Sequence, residues 1–178
     1  MGYEKGRPAD CALREPREVR CYDLLDALGV EYVRSDHGAA MTMADCVSVL
    51  DCDICKNLFL CNRQKTSFYL LMTPGDKPFH TRDLSAALGV SRLSFAPEEY
   101  MEELLDLSPG SVSVLGLMND RENRVSLAID AEVLAGEYVG CHPCKNTSSL
   151  KISTRDLTER ILPAMGHKFA VVELERYD

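Results

Sequence analysis

The sequence predicts a mixed-sheet α/β or α+β domain and not a doubly wound one. Three observations carry this reading: strand candidates outnumber helix candidates, several fall in hairpin-like pairs, and no regular strand-helix-strand alternation runs along the chain. At 178 residues the chain lies within the usual size of one compact domain. Residues 1–15 show no periodicity and are expected to form a flexible leader, with 16–178 forming a single domain.

The first element begins at Pro16, a residue suited to the first turn of a helix. Cys21, Leu24, Leu25 and Leu28 then fall on one helical face, and Gly29 closes it. Val30 to Arg34 alternates as a short strand, His37 to Thr42 reads as a loop, and Thr42 is placed to cap a helix over Met43 to Val49. Leu58-Phe59-Leu60 and Phe68 to Met72 are apolar runs joined by the polar Asn62 to Thr66, which predicts a hairpin ended by Pro74-Gly75-Asp76. Thr81 opens a helix that stops at Gly89, and Pro97-Glu98-Glu99 opens another with acids at the positive end of its dipole. After the Pro109-Gly110 turn, Val112 to Met118 and Val125 to Ile129 are expected as a second hairpin around Asn119-Asp120. Glu137 to Val139 and Leu150 to Ile152 are short strand candidates flanking a loop that begins at Gly140. Thr154 caps a helix through Met165, Gly166 ends it, and His167 to Leu174 closes the chain as a strand.

Composition narrows the function. The 46% hydrophobic and 27% charged content is ordinary for a globular protein, and no apolar run approaches the roughly 18 residues that would span a bilayer. The first twenty residues lack the apolar stretch of a secretory signal, so a cytoplasmic location without membrane attachment is expected. The eight cysteines are then expected to be thiols. A net charge of −8 argues against a protein that grips long stretches of nucleic acid, so any such contact is local.

Two stretches stand out as chemistry: Lys56-Asn57-Leu58-Phe59-Leu60, and Gly140-Cys141-His142-Pro143 continuing to Asn146-Thr147. Each sets a cation or imidazole and a carboxamide at a strand end, where sites of mixed α/β domains sit. The bland reading of Lys-Asn before an apolar strand is a solvated edge, and a lone histidine is more often structural than catalytic. His142, between glycine and proline in a constrained loop, stands apart from His80 and His167. Cys52 with Cys55 and Cys141 with Cys144 make a pair of Cys-x-x-Cys motifs, a zinc pattern if taken literally, but the two pairs are far apart and lack knuckle glycines, so buried thiols are the simpler reading. A Cys/His nucleophile is conceivable, but no local nucleophile signature surrounds these cysteines. Neither a phosphate loop nor a catalytic serine motif is present.

Taken in order, Lys56 to Leu60, Tyr69-Leu70-Leu71, Pro74-Gly75-Asp76-Lys77, Arg92 to Ala96, Pro109 to Val112, Gly116 to Asp120 and Gly140 to Pro143 with Asn146-Thr147 closely resemble the YbaK family of prolyl-tRNA-synthetase-associated editing domains, nearest its free-standing prolyl-tRNA editing members. The resemblance covers about residues 17 to 175. It implies a mixed, barrel-like sheet surrounded by helices, and trans-acting, substrate-assisted hydrolysis of the ester that joins a wrong amino acid, alanine foremost, to tRNA(Pro). No metal or other cofactor is implied. By this resemblance Lys56 is the essential lysine, supported by Asn57. The amino-acid pocket is formed by Gly140, Cys141, His142 and Pro143 with Asn146 and Thr147, and faces His37, Met41 and Thr42. Lys145, Lys151 and Arg155 are candidates for tRNA contact. The implied partners are the acceptor end of mischarged tRNA and prolyl-tRNA synthetase, with the protein a monomer or homodimer. Three alternatives stay open: a deacylase for Cys-tRNA or another small aminoacyl-tRNA, a non-catalytic aminoacyl-tRNA or amino-acid binding module, and a zinc- or redox-linked regulator using the two cysteine pairs.

Overall fold

In a computed structural model, which describes residues 2–39, 50–52 and 54–177, the strands form two sheets. The first is antiparallel throughout, with β1 (Glu4–Lys5), β2 (Tyr32–Asp36), β8 (Ser148–Ser153) and β7 (Tyr138–Cys141) in that order across it. The second runs β5 (Leu93–Phe95), β3 (Cys55–Asn62), β4 (Phe68–Pro74), β6 (Val125–Asp130) and β9 (Phe169–Val172). A parallel bridge between Ile54 and Gly140 joins the two. The mixed α/β architecture is the expected one; its strands make two sheets instead of closing a barrel. No helix among the described residues is long and apolar enough to cross a membrane.

Burial explains the layering. Strand side chains alternate between faces, and on β3 Phe59 and Cys61 enter the larger core while Leu60 enters a smaller one. The larger core lies against the inner face of the first sheet, through Val139, Leu150 and Ile152, and against helix α1 (Pro16–Ala27), through Cys21, Tyr22 and Leu25. The smaller core is Leu60, Leu71, Ala128 and Val172 under Leu84 of helix α2 (Thr81–Leu88). The second sheet is therefore buried on both faces, which suits its parallel pairs and unbroken apolar runs.

The predicted first hairpin forms in register, Leu58 opposite Leu71 and Lys56 opposite Thr73. Asn62 locks its turn, its Oδ1 accepting from the Thr66 amide at 2.9 Å. Helix α1 starts at Pro16 as predicted, and Gly29 beyond its end takes φ +64°, a conformation costly for other residues. Helix α3 (Glu98–Leu105) follows Pro97.

The second hairpin does not form. Val114–Asn119 is a 3₁₀ helix whose Ser113 hydroxyl caps the Leu115 amide, and the chain passes so close at Gly116 that a Cβ there would lie 2.7 Å from Leu107 Cδ1. With no strand before it, β6 pairs in parallel with β4 and with β9. Strands β1 and β5 and the short helix α4 (Ala131–Ala135) lack a periodic signal of their own and are held by pairing or capping. The last helix, α5, covers 154–164, with a π-helical middle at Leu157–Ile161 ahead of Pro163, which has no amide hydrogen to give the preceding turn. The segment expected as a loose leader is pinned: Glu4 and Lys5 pair with Arg34 and Val33, and Arg14 bonds both oxygens of Asp36, at 2.9 and 2.7 Å. The helix expected over 43–49 lies outside the described residues.

Candidate active site

The candidate residues flank the bridge that joins the two sheets. Because Ile54 and Gly140 pair in parallel, Lys56 on β3 and His142 in the loop after β7 each stand two residues beyond the bridge. The loop is braced from several sides. Ser113 Oγ donates to the His142 carbonyl at 2.5 Å, and the Val114 amide donates to Asn57 Oδ1 at 2.9 Å. Cys144 takes φ +60°, turning the chain after the buried Pro143, and its sulfur lies 3.4 Å from that of Cys21 on α1.

Two imidazoles face one another here, with ring centroids 6.1 Å apart. His142 Nδ1 donates to the Ser148 carbonyl at 2.7 Å. A carbonyl can only accept, so in the neutral ring Nε2 is left as an acceptor. Burial pulls the His142 pKa down and His37 pulls it further, outweighing the bond to Ser148, so the neutral form is favoured. His37 is set by three bonds: its backbone amide to the Thr147 carbonyl at 2.9 Å, Nδ1 to the Gly38 carbonyl at 3.0 Å, and Nε2 to Ser149 Oγ at 2.8 Å. The loop carrying Thr147 thus positions both histidines.

Lys56 and Asn57, expected to act together, are neighbours on a strand and point to opposite faces. Asn57 braces the turn at Val114, whereas the half-buried Lys56 ammonium donates to the carbonyl of Lys77. That carbonyl is held by the Lys77 side chain, which is 1% exposed and donates to Asp130 Oδ2 at 2.9 Å and Glu132 Oε1 at 2.8 Å. Burial depresses the Lys77 pKa, but its bonds to the two carboxylates outweigh this and raise it above the usual lysine value. Thr73, opposite Lys56 in the hairpin, donates its hydroxyl to the same Asp130 oxygen at 3.2 Å.

The structure redistributes other expected site residues. The Cys141 thiol is 3% exposed and packs in the larger core, so only its backbone faces the loop; burial, with Cys55 and Cys144 nearby, raises its pKa strongly. Asn146 lies against Gly110. Lys145 is paired with Glu15, Lys151 donates to the Asp51 carbonyl at 3.2 Å, and Arg155 is exposed and paired with Glu159 at 3.0 Å. Met41 and Thr42 lie outside the described residues. Among the described residues no group of three or more His, Cys, Asp or Glu side chains is arranged to hold a metal ion. Sequence reasoning missed Ser113, Ser148, Ser149 and Asp130, which act through hydrogen bonds that leave no periodic trace.

Comparison with known proteins decides the family. The sequence profile of the aminoacyl-tRNA editing domain matches residues 37–159. The chain belongs to the aminoacyl-tRNA editing domain family. It is 31% identical over 153 residues to the prolyl-tRNA editing protein ProX of Acetoanaerobium sticklandii, covering 84% of this chain and 93% of that protein. It is also 31% identical over 158 residues to prolyl-tRNA synthetase associated domain-containing protein 1 of Danio rerio, covering 86% of this chain and 85% of that protein. In fold it resembles a candidate trans-editing enzyme for prolyl tRNA synthetase, with a TM-score of 0.66 at 15% identity over 91% of this chain and 99% of that one. As a member of this editing family the protein is a hydrolase of aminoacyl-tRNA esters.

Proposed function

We propose that this editing domain acts in trans on mischarged tRNA(Pro), with alanine as the amino acid removed. The observation that supports the reading is the Ile54–Gly140 bridge between the sheets, which lies two residues before Lys56 and two before His142. An aminoacyl ester is already activated, so the protein has chiefly to hold the ester, orient water and stabilise the developing oxyanion. One well-placed donor of that kind is worth about 3–4 kcal/mol.

Lys56 supplies the cation. Among the described residues its ammonium, which has three N–H donors, gives one to the Lys77 carbonyl, so the others can serve the ester or the adjoining phosphate. The Gly140 loop lines the amino-acid side, and neutral His142 offers Nε2 as an acceptor for the substrate's ammonium or hydroxyl. The ribose hydroxyl next to the ester directs the attacking water, and the products are free amino acid and a tRNA with its terminal hydroxyl restored.

Alanine follows from size. A synthetase pocket built for proline excludes a smaller side chain by only about 1–3 kcal/mol per missing methylene, so a second site must reject in the opposite sense. The natural partners are then the acceptor end of the tRNA and prolyl-tRNA synthetase. The test is a deacylation panel with tRNA(Pro) carrying alanine, cysteine, serine and proline, run on wild type and Lys56→Ala. The expected result is selective release of alanine by the wild type, with kcat/KM for the variant down by at least about a hundredfold at unchanged Tm. Full turnover by a folded Lys56→Ala protein would overturn the role given to that residue.

A further inference from the structure

The outer face of the first sheet carries a second feature. Register aligns Lys5, Val33, Lys151 and Gly140 in one row across β1, β2, β8 and β7, and residues opposite one another share a face. Along β8 the same face shows Ser149, which bonds His37, then Lys151, then Ser153 opposite Tyr138. The row therefore leads from the histidine pair and the Gly140 loop into a cavity of about 500 Å³ lined by Lys5, Glu31, Tyr138, Lys151, Ser153 and Asp156.

The lining has mixed chemistry. Tyr138 is 40% exposed, and the Lys151 ammonium stands 4.5 Å from its ring centroid. Lys5 and Glu31 make no ion pair with any other described residue, whereas most charged side chains near this sheet are matched, Arg14 and Arg34 with Asp36 among them. Asp156 is taken up by Arg160. An exposed aromatic ring, two cations and a carboxylate without an ion pair among the described residues are what a single nucleotide of an unpaired RNA strand requires: a stacking surface, phosphate neutralisation and an acceptor for an exocyclic amine.

We propose that this cavity binds the cytidine that precedes the aminoacylated adenosine at the substrate's 3′ end. The base stacks on Tyr138, its N4 amine donates to Glu31, and its phosphate lies between Lys151 and Lys5. Cytosine presents an N4 donor where uracil presents an acceptor, so Glu31 selects the former. The proposal rests on the tRNA-editing reading and adds to it a subsite outside the amino-acid pocket.

The experiment uses the full chain with two minihelices, one ending in cytidine-cytidine-adenosine and one with the penultimate cytidine replaced by uridine. Uncharged, they give Kd by fluorescence anisotropy; aminoacylated, they give KM and kcat. Tyr138→Ala is expected to raise Kd and KM by about tenfold, with the loss carried by KM and not kcat, and Tyr138→Phe, which keeps the ring, to restore them. Lys151→Ala is expected to flatten the slope of log affinity against log salt by about 0.7, the value for one single-strand phosphate. Glu31→Gln is expected to erase the preference for cytidine over uridine. Because Kd is read without hydrolysis, a protein that shows these Kd changes but no turnover supports the subsite while sinking the deacylase reading. Unchanged Kd and KM in a folded Tyr138→Ala protein, or equal binding of both minihelices by the wild type, would overturn the subsite even if deacylation proceeds.

Discussion

Replacing Lys77 by methionine tests the arrangement that holds the Lys56 ammonium. Lys77 is 1% exposed and its partner Asp130 is equally sealed. Removing one member of such a pair strands a buried charge, at a cost of about 3–5 kcal/mol. At about 2–4 °C per kcal/mol for a chain of this size, the melting temperature should fall by about 6–20 °C. Asp130→Asn in the same chain removes the stranded charge while leaving an oxygen to cap the Glu132 amide, so the double variant should recover more than half of the loss. Thermal unfolding followed by circular dichroism at low and high salt is the assay, and salt should change little because the pair is shielded from counterions. Below its melting temperature Lys77→Met should also lose kcat, since the carbonyl that orients Lys56 belongs to the turn that Lys77 anchors. A melting temperature within about 2 °C of wild type would show that the pair carries no such load.

Three further outcomes are expected. Gly116→Ala should destabilise by about 1–3 kcal/mol in urea titration, because its Cβ meets Leu107 Cδ1 at 2.7 Å and the Leu105 carbonyl oxygen at 3.2 Å; a neutral result would mean that Leu107 moves aside freely. The Asp36 carboxyl is held well below its usual range by Arg14, against the opposing effect of burial and with help from Ser148 and Arg34, so its stabilisation is full above the unfolded value near 3.9 and is lost as pH falls below it. Asp36→Asn should flatten the acid limb of stability against pH, and an unchanged limb would contradict this. In iodoacetamide labelling followed by mass spectrometry, the partly exposed Cys52 should react before the buried Cys21, Cys141 and Cys144, and at Cys141 burial also raises the thiol pKa; rapid native labelling of Cys141 would refute its core placement.

What could be read in advance follows the range over which each signal acts. Helix α1 and the β3–β4 hairpin announce themselves through contiguous residues, Pro16 with its apolar face and Asn62 within its turn, and both formed as expected. Val112 to Met118 has the apolar content of a strand, yet its fate was set by Ser113 capping Leu115 and by the close approach of Leu107 to Gly116, contacts that strand propensity does not encode. The same holds at the site. Lys56 and His142 are visible as residue types in motifs, but that Asn57 turns away from Lys56, and that the Lys77 carbonyl receives the amine, depends on strand alternation and on an ion pair with Asp130, 53 residues away.

The pairing of β2 with β8 has a consequence for synthesis of the protein. Asp36 and Ser148 are 112 positions apart, and the two histidines are brought together by that same closure. Pairings of such long range are slow to form, and a chain leaving the ribosome cannot make this one until β8 has emerged. A nascent or truncated polypeptide ending before β8 would therefore hold a finished hairpin but not the pairing that brings His37 and His142 face to face, which arises only once β8 has arrived.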